Sequence, residues 1–175
     1  MKFILLNLFL LFNISNSLFL RNYIKYPPSY LIFNNIDCPG NDIFEKFPYS
    51  IEDCKVACSL NDDCIGFSWG TDNGGTCWLK SKLQNTEFTL TRILYAKENS
   101  IIENFDFPQN DILTENNYEQ KNCLDTCSSN EKCLFSVWSK DNNGTCWFKD
   151  KIGNPFKRND RNILIPKKQN GSSLF

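Results

Sequence analysis

Cysteine is the residue type in this chain best placed to do chemistry. The 175-residue sequence contains nine cysteines and no histidine. Eight of the cysteines form two sets with the spacing C-x3-C-x5-C-x12-C, namely Cys54, Cys58, Cys64, Cys77 and Cys123, Cys127, Cys133, Cys146. Each set allows three disulfide pairings, or a zinc site with four thiolate ligands. Zinc knuckles usually contain C-x2-C pairs, so the spacing favours disulfides.

The residue types needed for catalysis are absent or scattered. Without histidine, Ser-His-Asp and Cys-His nucleophiles and His-ligated metal sites are excluded. The sequence also lacks nucleophile-elbow, phosphate-binding and dinucleotide-binding fingerprints. Asp42 and Asp111 recur at equivalent places, but each follows an Asn in a turn, where such side chains usually bond to the backbone. We expect a protein that is not an enzyme and uses no metal or cofactor.

An internal repeat organises the elements that carry these cysteines. A shift of 69 residues superposes the two cysteine sets without a gap, and it makes 20 of 46 columns identical between Asp37 and Lys82. The shift also aligns Trp69 with Trp138 and Trp78 with Trp147. We predict two domains, at residues 30–100 and 101–166.

Each repeat has the pattern of a short helix and an antiparallel sheet. In repeat 1, Ser50 and Asp53 resemble a capping box before a helix over residues 51–59, and in repeat 2 a cap at Asn117 precedes the run 118–128. Alternating strands at 65–69 and 76–80 flank an Asn-Gly turn, and 93–95 and 163–165 are typical of closing strands. The predicted fold class is α+β, with two tandem small modules stapled by disulfides.

The beginning of the chain predicts export. Lys2, the apolar run 3–12 and the small residues Ser15 and Ser17 are typical of a signal peptide over residues 1–17. Residues 18–29 form a leader and residues 167–175 a flexible tail in this interpretation. An oxidising, extracellular location suits the cysteine content, and Asn143 and Asn170 begin glycosylation sequons. The net charge of −1 argues against nucleic acid as a partner, and no later segment predicts a membrane span.

The runs Cys-Ile-Gly-Phe-Ser-Trp and Gly-Gly-Thr-Cys-Trp-Leu-Lys between Cys54 and Lys80 resemble a PAN/apple domain, and 123–149 is similar to it as well. The resemblance implies a helix held by a curved antiparallel sheet. It also implies nested disulfides, Cys54–Cys77 around Cys58–Cys64 and Cys123–Cys146 around Cys127–Cys133. As PAN/apple modules bind proteins or carbohydrates, it implies a recognition role.

Cys38 is the unpaired cysteine. Repeat 2 has Phe107 at the equivalent position, which indicates a buried apolar slot and a free core thiol. The other interpretation is an intermolecular disulfide that links two chains into a dimer.

Candidate ligand-binding residues come from strand parity. Cys77 and Leu79 share one face of their strand, so Trp78 and Lys80 lie on the other, and Trp147 and Lys149 repeat this pair. An aromatic ring beside a lysine is a reasonable platform for a sugar or a protein. The alternative is that Trp78 packs under a loop or the terminal strand.

The repeats differ in their first core strand, where Gly66 aligns with Phe135 and Phe67 with Ser136. Either Phe135 turns into the core through a bulge, or it is displayed on the surface. The basic stretch 149–168 has seven basic and two acidic residues, which indicates a solvated strand and tail more than a polyanion site.

Three functions fit these observations. The first is recognition of extracellular carbohydrate or protein, with avidity from two copies. The second is regulation of a secreted protease through protein contacts. The third is a coat or matrix component crosslinked through Cys38.

Overall fold

The structure is a computed structural model, and it describes residues 28–167. The first sheet and its helix contain β1 (Tyr30–Asp37), β2 (Asp42–Lys46), α1 (Ile51–Ser59), β3 (Gly66–Gly70), β4 (Thr76–Lys80) and β5 (Glu87–Lys97). The second contain β6 (Ile101–Asp106), β7 (Asp111–Asn116), α2 (Gln120–Ser129), β8 (Phe135–Ser139), β9 (Thr145–Lys149) and β10 (Phe156–Leu164). Short 3-10 turns at Asp72–Gly74 and Asp141–Asn143 connect the central hairpins.

Both sheets have five antiparallel strands in the same order. The order is β1-β5-β3-β4-β2 in repeat 1 and β6-β10-β8-β9-β7 in repeat 2. Each sheet carries its helix on one face, so the predicted α+β class is confirmed.

The two helices begin differently. Ser50 caps α1, its hydroxyl accepts from the backbone N–H of Asp53, and the Asp53 carboxylate accepts from the backbone N–H of Ser50. This is the predicted capping box. The predicted cap at Asn117 is wrong, because Asn117 has φ 61° and α2 starts only at Gln120, after Glu119. Since Glu119 makes no side-chain cap bond, α2 lacks the local signal that fixes α1.

Disulfides fasten each helix to its sheet. Cys54, in α1, is bonded to Cys77 in β4, and Cys58 is bonded to Cys64 just before β3. Repeat 2 has the same nested arrangement, Cys123–Cys146 and Cys127–Cys133. All eight cysteines are buried. These bridges occupy every thiolate that the zinc alternative required.

The second face of each sheet packs against the other repeat. In β1, Tyr30 and Ile32 lie on the α1 side, whereas Leu31 and Phe33 belong to a core that also contains Phe107 and Val137. This shared core draws residues from both repeats, so the order of layers is helix, sheet, sheet, helix. The Glu103 N–H donates to the Leu83 carbonyl oxygen at 2.8 Å, which adds a backbone connection between the repeats.

Phe135 lies in this shared core. It is fully buried, and the β8–β9 register continues past it without a bulge. Both expectations for Phe135 are therefore wrong: it enters neither the helix-side core nor solvent, since its position faces the other sheet. In repeat 1 the equivalent Gly66 has no side chain, and Leu83 methyl groups come within 3.2 and 3.3 Å of where a Cβ would be.

No helix within residues 28–167 has the length and apolar character to cross a bilayer. The expected signal peptide, the leader up to residue 27, Asn170 and the tail from residue 168 lie outside the described residues.

Candidate binding surface

The ring faces of Trp78 and Trp147 are covered from within the chain. The Arg92 guanidinium lies 4.3 Å from the Trp78 ring centroid, and that of Arg161 lies 3.9 Å from the Trp147 ring centroid. Both rings are half-buried, and Trp147 also packs against the shared core. The alternative that these tryptophans pack internally fits the structure better than an open platform.

The lysines of the predicted platform are not accessible. Side-chain exposure is 3% for Lys80 and 1% for Lys149. Lys80 Nζ lies 2.5 Å from Asp42 Oδ1, and Lys149 Nζ lies 2.5 Å from Asp111 Oδ1. Assigning Lys80 and Lys149 to ligand binding is therefore wrong, because a buried ammonium group requires an internal partner and these lysines have one. Asp42 and Asp111 supply that charge.

Arg92 and Arg161 were not singled out by the sequence patterns, although the same shift of 69 residues aligns them. In repeat 2, Arg161 Nη1 donates to Asp106 Oδ2 at 2.7 Å, and this carboxylate is buried. In repeat 1, Arg92 Nε is 3.9 Å from Asp37 Oδ2, and Arg92 also pairs with Asp72. Extending the repeat alignment beyond the last cysteine would have found both arginines.

A difference between the repeats at one position explains why Arg92 and Arg161 pair with different carboxylates. Gly70 precedes the turn of repeat 1, and Arg92 lies across the place that a Cβ would occupy. Repeat 2 has Ser139 there, and its hydroxyl donates to Asp141 Oδ2 at 3.0 Å. Arg161 therefore pairs with Asp106, and Asp141 is left facing outward beside its turn.

A polar cleft of about 350 Å³ opens in repeat 2, and we call it the repeat-2 cleft. It lies where β10 bulges from β6, because residues 158–161 stand opposite the single residue Asn104, whose φ is 60°. Its lining residues are Glu103, Asn104, Trp138, Lys140, Asp141, Asn159, Asp160 and Asn162. The Trp138 indole N–H donates to the Tyr118 carbonyl oxygen at 2.7 Å, which fixes the ring at the cleft wall.

Several lining groups retain unused hydrogen-bonding capacity. The side chains of Glu103, Lys140 and Asn159 have no hydrogen-bond or ion-pair partner among residues 28–167. Asp160, in contrast, accepts two hydrogen bonds from Arg158, and these lower the pKa of the carboxyl group to about 2. The cleft thus presents a carboxylate, an ammonium group and an amide to solvent, a set that donates and accepts hydrogen bonds.

A second depression, the inter-repeat groove, runs between β1 and the loop after β9. It measures about 540 Å³ and has buried Phe33 and Phe107 beneath it. Phe88 is 61% exposed on its wall, and Ile152 and Pro155 stand on the other side. The groove lining combines these apolar side chains with Asn34, Asn35 and Asn154.

Comparison with protein-family models gives a match to the PAN domain at residues 36–80 and again at residues 105–149. Together these two stretches include half of the chain. The chain belongs to the PAN domain family. PAN domains mediate protein or carbohydrate binding, and they are binding modules rather than typical enzymes.

Among solved structures, the chain is similar to the two N-terminal apple domains (residues 58–231) of Toxoplasma gondii microneme protein 4. The identity is 15% with a TM-score of 0.36, and the match covers 82% of this chain and 96% of that one. No curated protein matches the sequence significantly.

Cys38, which directly follows β1, is buried. Its Sγ lies 3.7 Å from Thr86 Oγ1, and burial raises the pKa of the thiol to about 12. This burial favours the free core thiol over the intermolecular disulfide, because a second thiol has no access to the buried sulfur. A free core thiol is what the structure contains.

The sequon residue Asn143 lies in the 3-10 turn of the second PAN domain. Its side chain is exposed, whereas the sequon's Thr145 is buried and donates to the Asp141 carbonyl oxygen. Since Lys140 and Asp141 line the repeat-2 cleft, a glycan on Asn143 would be attached two residues from its edge.

Proposed function

We propose that this chain is a non-catalytic extracellular binding protein that recognises carbohydrate. The observation that carries the proposal is the repeat-2 cleft, where unpaired polar side chains converge beside the fixed ring of Trp138. Ligand sites combine an aromatic wall with a few polar groups that set orientation. Sugar hydroxyls both donate and accept, so they match a wall that contains Glu103, Lys140 and Asn159.

Secretion is part of this proposal. Four disulfides in two small domains suit an oxidising compartment. The expected signal peptide at residues 1–17 and the sequons at Asn143 and Asn170 support the same location. We likewise propose domain limits at residues 30–100 and 101–166, each of which holds one sheet with its helix.

Protein recognition is the second candidate, and the inter-repeat groove favours it. Phe88 and neighbouring Leu90, which is 79% exposed, offer apolar area that a protein partner could bury. Regulation of a secreted protease would belong to this class. A crosslinked coat or matrix component is disfavoured, because Cys38 is inaccessible.

The test uses the full secreted, oxidised protein on a glycan array, in parallel with pull-downs on immobilised polysaccharides. Dose-dependent binding to a defined set of glycans is the expected result. If the array gave no signal and the chain still captured a partner protein after the partner's glycans had been removed enzymatically, protein recognition would replace carbohydrate recognition as the function.

A further inference from the structure

We propose that the repeat-2 cleft is the saccharide site, that it takes a neutral sugar at the end of a glycan, and that repeat 1 does not bind. This inference rests on the proposed function, and it adds the place, the ligand class and the asymmetry between two otherwise similar repeats.

The size of the cleft limits the ligand. About 350 Å³ lies at the lower end of the range of roughly 300–1,000 Å³ for small-molecule pockets. Asn159 and Asp160 of the bulge and Asp141 of the turn all line this small cleft, which suits a single sugar at the end of a glycan better than the middle of a long chain.

The charges of the lining residues favour a neutral sugar. Three carboxylates, of Glu103, Asp141 and Asp160, face the cleft against the single ammonium of Lys140. Only the Asp160 carboxylate has an arginine partner, Arg158. A sulfated or acidic sugar would bring a further negative charge beside the carboxylates of Glu103 and Asp141, and like charges in one cleft repel. The hydroxyl groups of a neutral sugar can instead donate hydrogen bonds to both carboxylates.

Repeat 1 differs from repeat 2 at several of the equivalent lining positions. A shift of 69 residues places Leu90 at the position of Asn159 and Ile93 at that of Asn162. Asp72, the counterpart of Asp141, is paired with Arg92. Repeat 1 thus has hydrocarbon in place of two amides, Asn34 in place of the Glu103 carboxylate and a carboxylate at Asp72 that Arg92 already pairs, so it offers fewer free groups to a sugar.

This internal difference supplies matched variants. Asn159→Leu gives repeat 2 the residue that repeat 1 already tolerates, and Leu90→Asn makes the reverse change on an exposed position. Glu103→Gln removes the unpaired carboxylate while keeping its shape. The probes are the neutral, sialylated and sulfated glycans of one array, followed by titration calorimetry with the strongest neutral glycan. Melting temperature and mobility on non-reducing gels report whether each variant is folded.

We expect the wild type and Leu90→Asn to bind the same neutral glycans. Asn159→Leu and Glu103→Gln, both folded, should each weaken binding about tenfold or more, as expected when a site that hydrogen-bonds a ligand loses a partner. Neutral-glycan binding that both cleft variants leave unchanged overturns the inference but leaves carbohydrate recognition standing. If only sulfated or sialylated glycans bind, the inference that the ligand is a neutral sugar is wrong. Absence of all glycan binding overturns the proposed function itself.

Discussion

The rings of Phe33 and Phe107 stack with their centroids 5.2 Å apart and an interplanar angle of 13°. Phe33 belongs to the first sheet, whereas Phe107 follows the last residue of β6 in the second. The contact lies within the core that the two sheets share. The two sheets therefore pack against one another through a single core.

We predict that Phe107→Ala destabilises both domains together. Truncation of a buried phenylalanine costs about 3–5 kcal/mol through lost burial and the cavity left behind. Because Phe107 contacts residues of both sheets, calorimetry should record one transition at a lower temperature. Phe88→Ala, on an exposed ring, is the control and should change stability little. Two separate transitions, one of them at the wild-type temperature, would contradict a shared core.

The pair of Lys149 and Asp111 gives a second prediction. Lys149 is buried but Asp111 is 35% exposed, so Lys149→Ala should cost about 1–3 kcal/mol, between the values for exposed and buried ion pairs. Urea denaturation measures the loss. Lys151→Ala, an exposed lysine two residues later, is the control. If Lys149→Ala lowered glycan affinity without lowering stability, the lysine would belong to the binding surface after all.

The sequence predicts the fold well because its signals are local or repeated. The capping box at Ser50, the alternation in β3 and the cysteine spacing each act within a few residues. The second cap failed for a physical reason: Asn residues are common both at helix starts and at left-handed turn positions, and Asn117 occupies the latter.

The surface was harder to predict, because strand parity tells which residues share a face but not what covers it. Trp78 and Lys80 do lie opposite Cys77, yet Arg92 covers the tryptophan and Asp42 pairs with the lysine. The repeat-2 cleft depends on a bulge that pairs four residues with one. Such register shifts leave no periodic trace in a sequence.

Replacing Asn143 tests whether the predicted glycan lies close enough to the repeat-2 cleft to affect binding. We expect the secreted protein to carry a glycan there, detected as an endoglycosidase-sensitive gel shift that Asn143→Asp reduces. Asp tolerates the left-handed conformation that Asn143 adopts at φ 59°, so this variant should fold normally. Because the turn borders the cleft, the unglycosylated variant should bind neutral glycans as tightly as the wild type or more tightly. A loss of affinity would show that the Asn143 glycan itself contributes to recognition.

Cys38 provides the last prediction. Burial raises the pKa of its thiol from 9.0 to about 12, against the lowering effect of the Thr86 hydrogen bond. The thiolate forms more readily in the unfolded chain, so this group's contribution to stability is complete below pH 9.0 and is lost as the pH rises toward about 12. Cys38→Ala should therefore show a shallower fall in unfolding free energy above pH 9.0 than the wild type. At neutral pH, iodoacetamide should label Cys38 only after addition of urea, and non-reducing gels should show a monomer. Rapid labelling of the native protein, or a dimer band that Cys38→Ala removes, would mean that the sulfur is accessible and that the two chains can be crosslinked.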